Sequence, residues 1–176
     1  MDFLTPGGDS IKYLNFVRIF DNNGNKIEEI LYNNDGSIGI KHKSFYDASD
    51  NKIKEINYLN DNVIDYICEY KFDNKNNKTE EIIYNSDNSI SLKKIYIYDK
   101  KGKLTEEIEY NAKNEIENRY IYNNEDNIIR YYITNANGQI DCKYIYRYDN
   151  NENLLEWERA SELSNISLKH NYSYNK

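Results

Sequence analysis

The sequence is poor in the residues that carry most chemistry. Its 176 residues hold two Cys and two His, together with a single Trp, Met and Pro. Cys68 and Cys142 lie too far apart to be a metal-spaced pair, and two thiols are no disulfide framework. His42 and His170 fall at equivalent positions of a repeat, and structural or surface roles are expected for both. Basic residues are outnumbered, 23 against 30 acidic, and the net charge of −7 argues against nucleic acid as a partner. No run approaches the ~20 apolar residues of a membrane helix, so no membrane insertion is expected. The opening MDFLTPGGDS shows no basic stretch followed by an apolar one, and no signal peptide is read there. No helix cap followed by a 3.6-residue period occurs anywhere. Catalysis needs a convergent nucleophile, base or metal cluster. None is legible, so no enzyme, metal or cofactor is expected.

What is abundant is the aromatic ring. Apolar residues are only 39% and charged residues 30%, a balance that leans toward disorder until 19 Tyr and five Phe are counted. Those rings recur. FDNNGNKIEEILYNNDGSI (20–38) returns as FDNKNNKTEEIIYNSDNSI (72–90) and as YDKKGKLTEEIEYNAKNEI (98–116). An aromatic-Asp/Asn anchor stands at Phe20, Tyr46, Phe72, Tyr98, Tyr122, Tyr148 and Tyr174, 26 residues apart except for 24 between Tyr98 and Tyr122. That shortfall falls after Tyr110, so a strand or a turn there is clipped by two residues, an even number that keeps the pleat.

Each unit holds two turn signals. The first is DNNGN at Asp21 and DKKGK at Asp99, with Asn76 at the Gly position of the third copy. The second is NNDGS at Asn33, echoed by NANGQ at Asn135. Between them lie β-branched and aromatic runs such as ISLKKIYIY (90–98). The expected fold is all-β: an antiparallel β-meander repeat array of about six hairpin repeats and about thirteen strands, as a twisted, curled single sheet or an open barrel-like shell. A single β-repeat domain is expected over 1–176. Segments 1–12 and 150–176 are atypical, as caps that hide strand edges are.

Ile38, Ile64, Ile90, Ile116, Ile140 and Ile166 are equivalent, and eight residues later come Tyr46, Phe72, Tyr98, Tyr148 and Tyr174. A period of two places both sets on one face, with Ile30 and Tyr32 and their equivalents, and that face is expected to be the core. Glu28-Glu29, Glu80-Glu81 and Glu106-Glu107 are expected to lace a charged, solvated opposite face with Lys41, Glu69, Lys93 and Lys143. A single sheet cannot cover an aromatic face unaided, so either the array curls over it or a partner does.

The last copy, LLEWERASELSNISLKH (154–170), departs from the pattern: Trp157-Glu158 replaces Glu-Ile, and Ala160 replaces Tyr. Capping explains Trp157 first. Trp157, Tyr120, Tyr131, Tyr132 and Tyr144 are also the candidate ligand contacts of the clipped and rewritten copies.

The stretches RIFDNNGN (18–25), YIYDKKGK (96–103) and YRYDNNEN (146–153) resemble the YD repeats of the Rhs family of bacterial surface and toxin proteins. The likeness runs from about Asp9 to Asn175, although the unit is longer than a usual YD repeat and lacks the Arg-Leu pair after the turn Gly. The resemblance implies curling β-sheets, a secreted or cell-surface location and carbohydrate binding. The functional expectation is a non-catalytic binding or scaffold module that presents a repeated surface to a glycan or a protein. The alternative is a cytoplasmic interaction partner, immunity or chaperone-like, of a polymorphic toxin system.

Overall fold

The computed structural model describes residues 3–4, 10–11, 15–123, 127–134, 139–161 and 167–174. Pro6-Gly7-Gly8, the Asn135–Gly138 turn, Ile166 and Asn175, all used above, lie outside them. The strands are β1 (Phe3–Leu4), β2 (Ser10–Ile11), β3 (Phe16–Phe20), β4 (Lys26–Tyr32), β5 (Ile38–Tyr46), β6 (Lys52–Tyr58), β7 (Ile64–Phe72) and β8 (Lys78–Asn85). They continue as β9 (Ile90–Tyr98), β10 (Leu104–Tyr110), β11 (Ile116–Tyr122), β12 (Ile128–Thr134), β13 (Ile140–Tyr148), β14 (Leu154–Ser161) and β15 (Ser167–Asn171). Strands β3 to β15 form one thirteen-stranded sheet in strict sequence order that does not close, and β1 and β2 pair separately. The meander expected from the turn spacing is present. By its contacts the chain divides into one unit of Met1–Tyr70 with Ile83–Ser89 and a second of Lys71–Ile82 with Ile90–Lys176.

The Asp of each first turn organises the loop through its own carboxylate. Asp21 Oδ1 accepts the backbone N–H groups of Asn23 and Asn25, both at 2.9 Å, and the Asp21 carbonyl accepts from Gly24. Asp47, Asp73, Asp99 and Asp149 repeat the arrangement. The fourth residue is left-handed at Gly24 (φ 88°) and Gly102 (85°), and also at Asp50 (60°), Asn76 (64°) and Glu152 (64°). Asn tolerates that region, whereas Asp50 and especially Glu152 are held there by the surrounding turn.

A register shift that the sequence does not announce recurs through the sheet. Two residues into the second strand of the β3–β4 to β6–β7 hairpins, and again from β9–β10 to β13–β14, one extra residue is inserted. In β5, Tyr32 faces Ile38 and Leu31 faces Ile40, so Gly39 is the extra residue of a β-bulge. Ile27, Ile53, Thr105 and Ile129 hold the same place in other strands.

The bulge changes which side chains share a face. Directly paired residues point the same way, and alternation resumes only after the extra residue. Ile38 therefore lies with Tyr32 and Ile30 on one side, the isoleucine face. Tyr46 falls on the other side with Ser44, His42 and Glu29, the rung face. The expectation that Ile38 and Tyr46 share a face is overturned, because a strict period of two holds only between bulges. The single charged face is likewise not found. Lys43–Glu28 (3.8 Å) and Lys54–Glu69 (2.8 Å) lie on the isoleucine face, while Arg18–Glu29 (2.5 Å) and Lys52–Glu55 (2.6 Å) lie on the rung face.

The core face expected from the Ile and Tyr columns is absent too. Among the described residues the only buried apolar side chains are Cys68 and Cys142, each 5% exposed, and no large side chain is fully buried. Phe16, Phe20, Phe45 and Leu59 are among the exposed apolar side chains. A lone sheet layer has nothing to bury against, so its side chains pack sideways along the sheet.

The bulge and its anchor form one device. It brings residues three apart onto one face, where Lys26–Glu29 (2.7 Å), Lys52–Glu55 (2.6 Å) and Lys78–Glu81 (2.7 Å) pair. The end-post tyrosines then donate to the carbonyl just before the extra residue: Tyr46 to Lys26 (3.0 Å), Tyr98 to Lys78 (2.8 Å) and Tyr148 to Ile128 (3.1 Å). Phe72 holds the same place without a hydroxyl to donate.

Candidate aromatic ladder

The missing two residues come out of a strand. Five residues separate β11 from β10 and from β12, whereas β11 has seven residues where β5, β7, β9 and β13 have nine. In a nine-residue strand one residue faces the preceding strand's rung and the residue two further on faces the next. His42 faces Glu29 while Ser44 faces Glu55. In the shortened β11 a single residue does both: Tyr120 faces Glu107 behind it and Tyr131 ahead. The deletion removes the stagger and sets Tyr120, Tyr131 and Tyr144 in direct register.

Those rings stack. Tyr120 and Tyr131 lie 4.7 Å apart between centroids at 4°, and Tyr131 and Tyr144 lie 5.4 Å apart at 24°. At β13 the stagger returns, since Tyr144 faces Tyr131 but Tyr146 faces Trp157. The step from Tyr144 to Trp157 accordingly lengthens to 6.5 Å with a 33° tilt. Trp157 then stacks on His170 at 4.9 Å and 11°. Five rings on five successive strands thus form a row across the rung face of the second unit, half-buried except for the exposed His170. Each stacked pair adds about 0.5–1.5 kcal/mol beyond its buried area.

Four of the five candidate contacts, Tyr120, Tyr131, Tyr144 and Trp157, belong to this row. Tyr132 does not. It faces Arg119 and Lys143 on the isoleucine face, with the Lys143 ammonium 6.0 Å from its ring centre. His170 is the ladder member the sequence reading passed over. The signal was there: it is equivalent to Tyr120 and Tyr144 in the repeat, in the column that begins His42, Cys68, Lys94. His42 has a different setting, its Nδ1 hydrogen-bonded to Asn57 Oδ1.

A polar network supports one end. Tyr131 donates to Asn118 (2.9 Å), Asn118 donates to Glu109 (2.8 Å), and Lys94 bridges Glu109 (2.5 Å) and Glu107 (3.2 Å). Burial, with the Glu109 charge second, raises the pKa of Tyr120, and burial raises that of Tyr131, so both phenols stay neutral donors across physiological pH. At the other end Arg159 lies between Tyr144 and Leu168 in register, its guanidinium carbon 5.9 Å from the Tyr144 ring centre. Its Nη2 donates to Cys142 Sγ at 3.3 Å, and its Nε is buried without an acceptor. Cys68 and Cys142 are both buried and neither is in a disulfide.

The first unit has an open groove of about 440 Å³ beside Tyr46 and Asp50, and the second unit one of about 490 Å³ beside Tyr148 and Glu152. Among the described residues no three His, Cys, Asp or Glu side chains converge to hold a metal, and no helix is long and apolar enough to cross a membrane.

No family model matches the chain, and no curated protein does. Among solved structures it is similar to a Tc holotoxin pore of Photorhabdus luminescens, with 14% identity over 89% of this chain and 9% of that one, at a TM-score of 0.49. It is also similar to TcdB2-TccC3 without its hypervariable C-terminal region, with 12% identity over 97% of this chain and 11% of that one, at 0.49. A Bacteroides fragilis protein of unknown function gives 15% identity and 0.33. The chain spans about a tenth of the length of the toxin chains.

Proposed function

We propose that the chain is a non-catalytic scaffold whose rung face binds a protein, with the Tyr120–His170 ladder as the contact surface. The carrying observation is the stack itself. Rings at 4.7 Å and 4° cover one another's faces, so the ladder offers ring edges and hydroxyls outward. Sugars pack on free ring faces, and here those are taken by neighbouring rings. Ring edges with polar tips suit a polypeptide surface, where Tyr and Trp are enriched. A secreted or surface location belongs to the same proposal. Cys68 and Cys142, neither in a disulfide, favour the second reading, an interaction partner held in a reducing compartment.

The test is display selection of random peptides against the wild-type chain, with counter-selection on a Trp157→Ala, Tyr144→Ala variant, beside a glycan array. Peptides enriched on the wild type and lost on the variant support the reading. Array hits with no enriched peptide reject it in favour of a glycan.

A further inference from the structure

The rung face over β12 to β15 differs from the rest of this acidic chain in its charge. Elsewhere the rung position carries Glu29, Glu55, Glu81 and Glu107, each paired with a cation. Over β12 to β15 the equivalent residues are Tyr131 and Trp157. The described strand carboxylates there are Glu156 and Glu158, which face Arg147 and Ile145 across the sheet on the isoleucine side, and Asp141 at a bulge. Glu156 is already engaged by Arg147 and by Lys169 at 2.6 Å.

Arg159 is therefore a cation on an aromatic face with no described carboxylate within ion-pair reach. Asp141 is the last of the influences on it, behind Cys142 and Tyr144. Its one hydrogen-bond acceptor is a thiol sulfur, a poor one, and its Nε has none. By contrast Arg18, Arg119 and Arg147 each hold a glutamate.

We infer that Arg159, with Tyr144, Trp157 and Leu168 around it, is a seat for an acidic side chain of a partner polypeptide flanked by apolar residues. This rests on the ladder as a protein-binding surface and names its chemistry. A carboxylate displaces the Cys142 thiol as acceptor, because a charge-assisted N–H···O bond is far stronger than one to sulfur. The stacked ladder offers no free ring face for the sugars of an acidic glycan, so a peptide is the occupant.

Trp157 is the only tryptophan, so its emission reports occupancy directly. The probe is a pool of octapeptides with a central Glu among random apolar residues, against the same pool with Gln. We expect saturable quenching by the Glu pool, about tenfold weaker with Gln, and lost in an Arg159→Gln variant whose far-ultraviolet dichroism is unchanged. Equal binding of both pools overturns the acidic seat while leaving the ladder as a protein surface. No response to either pool overturns both readings. Saturation by a glucuronate oligosaccharide in place of the peptides overturns the choice of a polypeptide.

Discussion

One position of the repeat is written in two ways. In the first unit it is Glu29 and Glu55, each tied to the Lys three residues earlier. In the second unit's last copies it is Tyr131 and Trp157, each stacked on rings of the adjacent strands. The strand pairing around the two versions is alike, with the same bulge. What differs is how a single-layer sheet holds itself laterally. The acidic rungs at Glu29 and Glu55 close locally, since the lysine three residues earlier answers each glutamate. Aromatic rungs propagate from strand to strand, because a ring has two faces. The first arrangement leaves a solvated face, and the second builds a continuous surface that a partner can meet.

The largest expected effect comes from writing the acidic rung into the aromatic region. Trp157→Glu removes the contacts to Tyr144 and His170 and places a carboxylate near Arg159. It should cost about 2–3 kcal/mol in urea unfolding and abolish ladder-dependent binding. Stability unchanged within error would show that the ladder holds nothing together.

Restoring the nine-residue strand should cost somewhat less. Inserting Lys-Ser after Tyr120 keeps the pairing with β10 but moves Tyr120 out of register with Tyr131. We expect a loss of about 1–2 kcal/mol and of the coupled-tyrosine dichroism signal. Persistence of that signal would mean that the deletion is not what aligns the rings.

The end posts are common to both regions, so Tyr98→Phe serves as the internal reference. It removes only the hydrogen bond to the Lys78 carbonyl, worth about 0.5–1.5 kcal/mol, and imitates Phe72. A larger loss would mark Tyr98 as a packing residue.

The acidic rungs should contribute least and, unlike the ladder, respond to acid. The hydrogen bond from Lys26, then that from Arg18, hold Glu29 down to about 2 from an ordinary 4.5. A lowered folded-state pKa gives stability that is complete above about 4.5 and lost as the pH falls toward 2. Glu29→Gln should thus cost under about 1 kcal/mol at neutral pH, as surface ion pairs do, and nothing at the acid end. Ladder stacking, judged by Trp157 emission, should stay constant over the same range. A shift in that emission between pH 4.5 and 2 would tie the two regions together.

Much of this was legible from spacing alone. The anchors from Phe20 to Tyr174 marked the strand ends, Asp21 and Asp99 marked the turns, and Asn76 was correctly placed in a left-handed position. The two altered copies pointed to Trp157, Tyr120, Tyr131 and Tyr144. The reading failed on faces. It put Ile38 and Tyr46 together, made one face a core, and took Tyr132 with its neighbour Tyr131 although adjacent residues in a strand point oppositely.

The sequence by itself determined the meander, because strand length, turn chemistry and the repeat period are local properties of the chain. Only the tertiary structure decided which side chains meet. A bulge is an extra residue relative to a partner strand, so it has no signature until two strands are paired. The same holds for the two missing residues: in the sequence they are a shorter interval, and in the sheet they erase a stagger and line up three rings.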